Sequence, residues 1–249
     1  MTRGVYTAAA GMLANQAAQD TIAQNLANAN TVGYKEDVPR FESFLSEPVS
    51  RLSPADRVSI GTIGSGAGLR DVTTNFSQGG LQQSGNPLDV ALTGDGALVI
   101  QTPTGPRLSR DGSLTLNARG ALIQANTGQP VLSDRNTVLS VPANAKSIVI
   151  SLSGDLTADG IRVGRIQMAS LSDAVNPVKV GDNQYTVSSL RPASSAATLR
   201  QGYLETSNVS IVKEMVSMIS IMRAYETNQK MLQAEDDTTG KATNEVGKL

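Results

Sequence analysis

NLANANTVGYK, residues 25–35, decides how this chain is read. A helical run that opens near Val5 fills here with asparagine, at Asn25, Asn28 and Asn30, and then meets Thr31-Val32-Gly33-Tyr34-Lys35. Asparagine is a mediocre helix former whose side chain competes for backbone hydrogen bonds. Thr31-Val32-Gly33 predicts the end of the helix, with Gly33 in a left-handed cap. Three asparagines at that end call for a purpose other than helix stability.

Working back from the stretch, Ala8, Met12, Asn15, Gln19, Ile22 and Leu26 alternate by four and three, a heptad seam interrupted by the polar Asn15 and Gln19. The same rhythm returns more strongly near the other end. Ile211, Met215, Met218, Met222, Tyr225, Gln229 and Leu232 form one stripe, widened by Val212, Val216 and Ile219. Asn208 or Ser210 is the expected N-cap, with Lys213-Glu214 on the outer face.

Between the two helices short β-type runs alternate with turn dipeptides, as in LDVALTGDGALVI and SIVISLSGDLTADGIRVGRIQMA. Asp-Gly at 95–96, 111–112 and 159–160 signals hairpins, because glycine supplies the positive φ such turns need. Short, evenly spaced strands predict an antiparallel sandwich or barrel-like domain. The Pro/Ser/Gly-punctuated run before it reads as an extended connector. The expected layout is a first helix over 1–34, a connector over 35–70, a β domain over 71–204 and a second helix over 205–249. The fold class is mainly β with α-helical termini.

Composition removes many chemistries. There is no cysteine and no histidine, which excludes disulfides, thiol catalysis, the commonest general base and the commonest metal ligand. With Lys+Arg 21 against Asp+Glu 22, the chain lacks the basic excess that nucleic acid or an anionic membrane attracts. No run approaches the ~18–20 apolar residues of a transmembrane helix. MTRGVYTAAAGMLANQ makes a poor cleaved leader, so export, if any, is expected without one. GSGAG at 64–68 lacks the last glycine of a dinucleotide loop, where Leu69 stands, and reads as a turn-rich connector. Asp236-Asp237 reads as a solvated helix end rather than a catalytic pair. The chain carries no recognisable catalytic constellation, and neither a cofactor nor a small-molecule substrate is expected.

Three separated blocks, in order, resemble one family. YTAAAGMLANQAAQDTIAQNLANANTVGYKED is similar to the N-terminal signature of flagellar axial proteins, the rod, hook and hook-associated group. NPLDVALTGDGALVI with SRDGSLTLNARGALIQANTGQPVL resembles the opening of their β domain, and QGYLETSNVSIVKEMVSMISIMRAYETNQKMLQAEDD their C-terminal helix. The length fits the proximal or distal rod proteins of the basal body. The resemblance implies terminal helices that pair, coiled-coil-like, in the inner tube of a hollow helical rod, with the β domain outside it. It also implies unfolded export through the flagellar type III apparatus, an extracytoplasmic place in the basal body, and torque transmission from motor to hook. The implied partners are the chain itself, other rod and hook proteins, and the export apparatus.

On this reading the assembly interface is expected at Met12, Asn25, Leu26, Asn28, Asn30, Gly33 and Tyr34, and at Ile211, Met215, Met218, Ile219, Met222, Tyr225 and Leu232. The asparagines are expected to bond backbone across subunit contacts that an apolar seam does not specify. A scaffold or cap-like, export-associated binding protein is the competing reading, separated from a rod component by its copy number. A peptidoglycan hydrolase is disfavoured for want of an acid/base pair or a nucleophile.

Overall fold

The computed structural model describes residues 2–53, 56–142, 144–171, 177–190 and 197–245. Met1, Pro54, Ala55 and residues 246–249, which fall within the expected helix and connector ranges, lie outside them. The chain is mainly β, with one helix toward each end and antiparallel sheets throughout. In order it forms α1 (Thr2–Ala27), β1 (Asp37–Ser53), β2 (Asp56–Thr74), β3 (Leu81–Gln83), β4 (Val90–Thr93), β5 (Ala97–Thr102), β6 (Gly105–Ser109), β7 (Leu114–Leu116) and β8 (Leu122–Gln124). There follow β9 (Ile148–Ile150), β10 (Asp155–Ala158), β11 (Ile161–Arg165), β12 (Met168–Ala169), β13 (Val178–Lys179), β14 (Gln184–Thr186), β15 (Thr198–Gln201), β16 (Tyr203–Glu205) and α2 (Ile211–Glu245).

These elements fall into two compact units. The helical unit holds α1, β1, β2 and α2, and the β unit holds residues 28–36 and 76–209. In the β unit a five-stranded sheet, β12-β5-β6-β14-β13, and a three-stranded one, β11-β10-β9, are joined by two-stranded pieces. Its larger core cluster gathers Val90, Leu92, Leu98, Ile100, Leu122, Leu156 and Leu199. A smaller one gathers Val99, Leu108, Leu171 and Tyr185, against which Phe76 stands edge-on with ring centroids 5.4 Å apart. Buried aliphatic side chains of this size each contribute roughly 1.5–3 kcal/mol.

Of the three Asp-Gly pairs, one makes a tight hairpin. Asp159 and Gly160, both at positive φ, join β10 to β11. Asp95-Gly96 instead lies between strands of different sheets, with the Asp95 carboxylate bound to Ser170 Oγ and Leu171 N–H. Asp111-Gly112 likewise joins unpaired strands, and the Asp111 carboxylate accepts Ser113 N–H in a local side-chain turn. In both cases the aspartate bonds more usefully elsewhere than in a two-residue turn.

The expected extended connector is a paired ribbon. β1 and β2 run antiparallel from Asp37↔Thr74, with register shifts at Arg40/Phe41 and Val49/Ser50. Prolines are tolerated because each strand of a two-stranded ribbon has an open edge. Pro39 and the bulges break the alternation by which a strand is recognised. The glycine run finds its use here: Gly66 sits against Ala10 of α1, where a Cβ would come within 3.0 Å of the alanine methyl.

Candidate functional site

α1 and α2 lie side by side and antiparallel in one register. A Cβ at Gly4 would meet Glu235 Oε1 at 2.8 Å, and one at Gly11 would meet Asn228 Nδ2 at 2.9 Å. Fourteen residues beyond Gly11, Asn25 Nδ2 lies 3.5 Å from Glu214 Oε2. The same register sets buried Ala18 opposite half-buried Ile221. Every seventh position of α1 is thus Gly, Gly, Ala, Asn, and larger side chains of α2 fill the notches. This pairing turns Glu214, expected on the outer face, inward to 4% exposure.

The seam therefore uses only part of the apolar stripe of α2. Met218 and Leu232 are half-buried, while Ile211, Met215, Ile219, Met222 and Tyr225 stay exposed. Val212 is 74% exposed and Val216 62%. Ile211, Val212, Met215, Val216, Ile219 and Met222 share one face of the first turns, and further along that face stand Arg223, Glu226, Lys230 and Asp237. On α1, Met12 and Leu26 are half-buried, and Tyr6 and Leu13 stand 72% and 68% exposed on the side away from α2.

Asn25 is spent within its own chain. Its Nδ2 donates to the Asp37 carbonyl at 2.8 Å, and its Oδ1 accepts Asp37 N–H at 2.9 Å. The amide takes both backbone bonds of Asp37, as a neighbouring strand would, and pins the start of β1. Asn28 is half-buried and accepts from Thr31 through its carbonyl (3.0 Å) and its side chain (3.1 Å), and Asn30 is exposed.

In the β unit the chain from Gly33 to Glu36 lies beside residues 205–208. Gly33 does adopt a left-handed conformation, φ +66°, but beyond the helix end at Ala27. Its N–H goes to the Glu205 carbonyl at 2.8 Å rather than to the helix, and a Cβ would collide with the Arg110 carbonyl. Tyr34 is buried beneath Lys179, whose Nζ lies 3.7 Å from the ring centroid. Asn208 does not cap α2: its Oδ1 accepts Glu36 N–H at 2.7 Å, and Ser210 supplies the first helical carbonyl, to Glu214.

Next to Gly33 lies a buried ionic knot. Lys35 Nζ donates to Glu205 Oε1 at 2.6 Å and to the Ser77 carbonyl at 2.8 Å. Arg110 bonds Glu205 Oε2 at 2.9 Å and the Gly94 carbonyl at 2.5 Å, and Gly79 N–H bonds Glu205 Oε1 at 2.9 Å. Burial pushes the Lys35 ammonium below its ordinary pKa, Glu205 opposes that fall, and Arg110 adds to it. Lys35, Arg110 and Glu205 come from the GYK, SRDG and YLET segments, far apart in sequence. Periodicity identifies none of them, since each stands alone in an otherwise ordinary stretch. Among the described residues no helix is long and apolar enough to cross a membrane.

The family described as "Flagella basal body rod protein" matches residues 5–35, which hold α1 and the turn to Lys35. "Flagellar hook protein FlgE/F/G D1 domain" matches 91–158, and "Flagellar basal body rod FlgEFG protein C-terminal" matches 200–245. Whole-chain relatives agree. The flagellar hook-basal body complex protein FlhO of Bacillus subtilis (strain 168) is 31% identical over 100% of both chains. The flagellar basal-body rod protein FlgG of Buchnera aphidicola subsp. Baizongia pistaciae is 34% identical over 97% of this chain and 98% of its own. FlgF of Caulobacter vibrioides is 30% identical over 100% of both. Sequence similarity along the whole chain, from α1 through the β unit to α2, thus makes this protein a member of the FlgF/FlgG family of flagellar basal-body rod proteins.

Proposed function

We propose that the chain is a non-catalytic structural subunit of the rod, assembling helically with copies of itself and with other rod and hook proteins. The observation that carries this is the uncharged, exposed face of α2 formed by Ile211, Val212, Met215, Val216, Ile219 and Met222. A contiguous apolar face of this kind marks a surface that another protein covers. Contacts that repeat without closing generate a filament, and a filament of paired helices transmits torque along its axis. Export through the flagellar type III apparatus and a place outside the cytoplasm complete the reading.

The test is location and copy number in purified basal bodies, set beside a full-length Met215→Asp/Met222→Asp variant. A rod subunit is found along the rod in many copies, and the variant is made but absent from it, with motility lost. A single copy per basal body, or normal incorporation of the variant, overturns the proposal.

A further inference from the structure

The helical unit carries two apolar patches, and their placement says how one copy meets the next. One is the α2 face just described, which ends at Met222. The other is Tyr6 and Leu13 on α1, on the side away from α2. In the antiparallel register Tyr6 and Leu13 lie level with residues 233 and 226 of α2, past Met222, so the patches are offset along the helix pair. They also face opposite ways. Two like faces of the α2 patch, brought together about a twofold axis, would leave Tyr6 and Leu13 in water. One patch against the other covers both.

Charge points the same way. Between Gly4 and Ala27 the one charged residue of α1 is Asp20, exposed and two helical turns past Leu13 in the same line, so the segment Tyr6–Leu13 itself is uncharged. Between Ile211 and Met222 the charges are Lys213 and buried Glu214, both off the exposed face. The spacings match as well. Tyr6 and Leu13 are seven residues apart, as are Met215 and Met222, so each pair forms a line along its helix.

Resting on the rod reading above, we infer that the occupant of the α2 face is α1 of a second copy. Tyr6 of that copy lies on Met222 and Leu13 on Met215, in a head-to-tail contact that does not close. Methionine sulfur against a tyrosine ring is a favourable contact. Within one chain Met222 is level with Ala17; in the neighbour's contact it meets Tyr6. The neighbour is therefore shifted by about eleven residues, ~16 Å along the helices at 1.5 Å per residue. A heterologous contact with an axial step is what an open-ended assembly requires.

The chain has no cysteine, so introduced ones report cleanly. Full-length Tyr6→Cys/Met222→Cys and Leu13→Cys/Met215→Cys are expected to give a ladder of covalent multimers when basal bodies containing them are mildly oxidised. Each single-cysteine variant gives at least ten-fold less product. Dimers from the single variants, or no ladder from incorporated double variants, overturn the head-to-tail pairing and leave the rod reading intact. Absence of the wild-type chain from basal bodies overturns both. A charge swap tests the pairing independently. Leu13→Lys or Met215→Glu alone lowers incorporation at least ten-fold, and the two combined restore it; a combined variant no better than the worse single one overturns the inference.

Discussion

Glu205 is the residue on which the β unit's two chain ends converge, since both of its oxygens are held and its carbonyl receives Gly33. Removing it strands two buried cations, which costs far more than the pair itself contributes. Glu205→Ala is expected to lower the stability of the β unit by ~3–5 kcal/mol, read by urea unfolding followed in the near-UV signal of buried Tyr34 and Tyr185. Replacing the trio together by Lys35→Met, Arg110→Met and Glu205→Leu recovers only part of this, because Gly79 N–H and the Ser77 and Gly94 carbonyls lose their partners. A loss under about 1 kcal/mol for Glu205→Ala would refute the role given to the knot. Asp111 offers a second handle. Burial raises its carboxyl above the ordinary 3.8, against the bonds from Ser113 and Asn126, and Asp89 adds to the rise. Since the folded state holds that proton more tightly, its contribution is full below 3.8 and is lost as pH rises through the raised value. Asp111→Asn should therefore flatten the fall in unfolding midpoint as pH rises above 3.8, relative to the wild type. An unchanged slope would mean that other carboxylates set it.

At the scale of elements, the notches of α1 decide how the helices meet. A side chain at Gly11 must displace the Asn228 amide, whereas alanine in an exposed helix interior gains up to ~1 kcal/mol over glycine. Gly11→Leu is expected to abolish incorporation into basal bodies, and Gly11→Ala with Asn228→Ala to preserve it. If Gly11→Leu incorporates normally, the register is not set there. The outcome also marks where sequence alone is legible. The 4-3 spacing located both helices, because periodicity is a property of each helix alone. It did not tell which side of α2 meets α1, because Glu214, Asn228 and Glu235 are polar and a search for apolar stripes passes over them. Asn25 is conspicuous in the sequence by its residue type, but its partner Asp37 depends on how β1 leaves the turn. The ribbon was illegible for a related reason, since its prolines, bulges and glycines serve pairing and close approach while erasing alternation.

For the molecule as a whole, the two units are built to different standards of burial. Among the described residues of the helical unit, Ile22 is the one large aliphatic side chain that is buried, beside Ala8, Ala14 and Ala18. The β unit buries Leu92, Leu98, Ile100, Leu108, Leu122, Leu156, Leu171 and Leu199 almost completely. Ordering each residue costs about 1–2 kcal/mol of backbone entropy. A seam of glycine, alanine and asparagine returns little apolar burial against that cost, and α2 keeps its best apolar surface in water. The free chain should therefore not unfold in a single step. In urea, ellipticity at 222 nm, dominated by α1 and α2, is expected to fall at a lower concentration than the near-UV signal of Tyr34 and Tyr185 in the β unit. Burying the α2 face against a neighbour adds stability to the helices alone, so in assembled material the two transitions should draw together. Coincident transitions in the free chain would show that the thin seam suffices, and the exposed face would then not be needed to hold the helices in place.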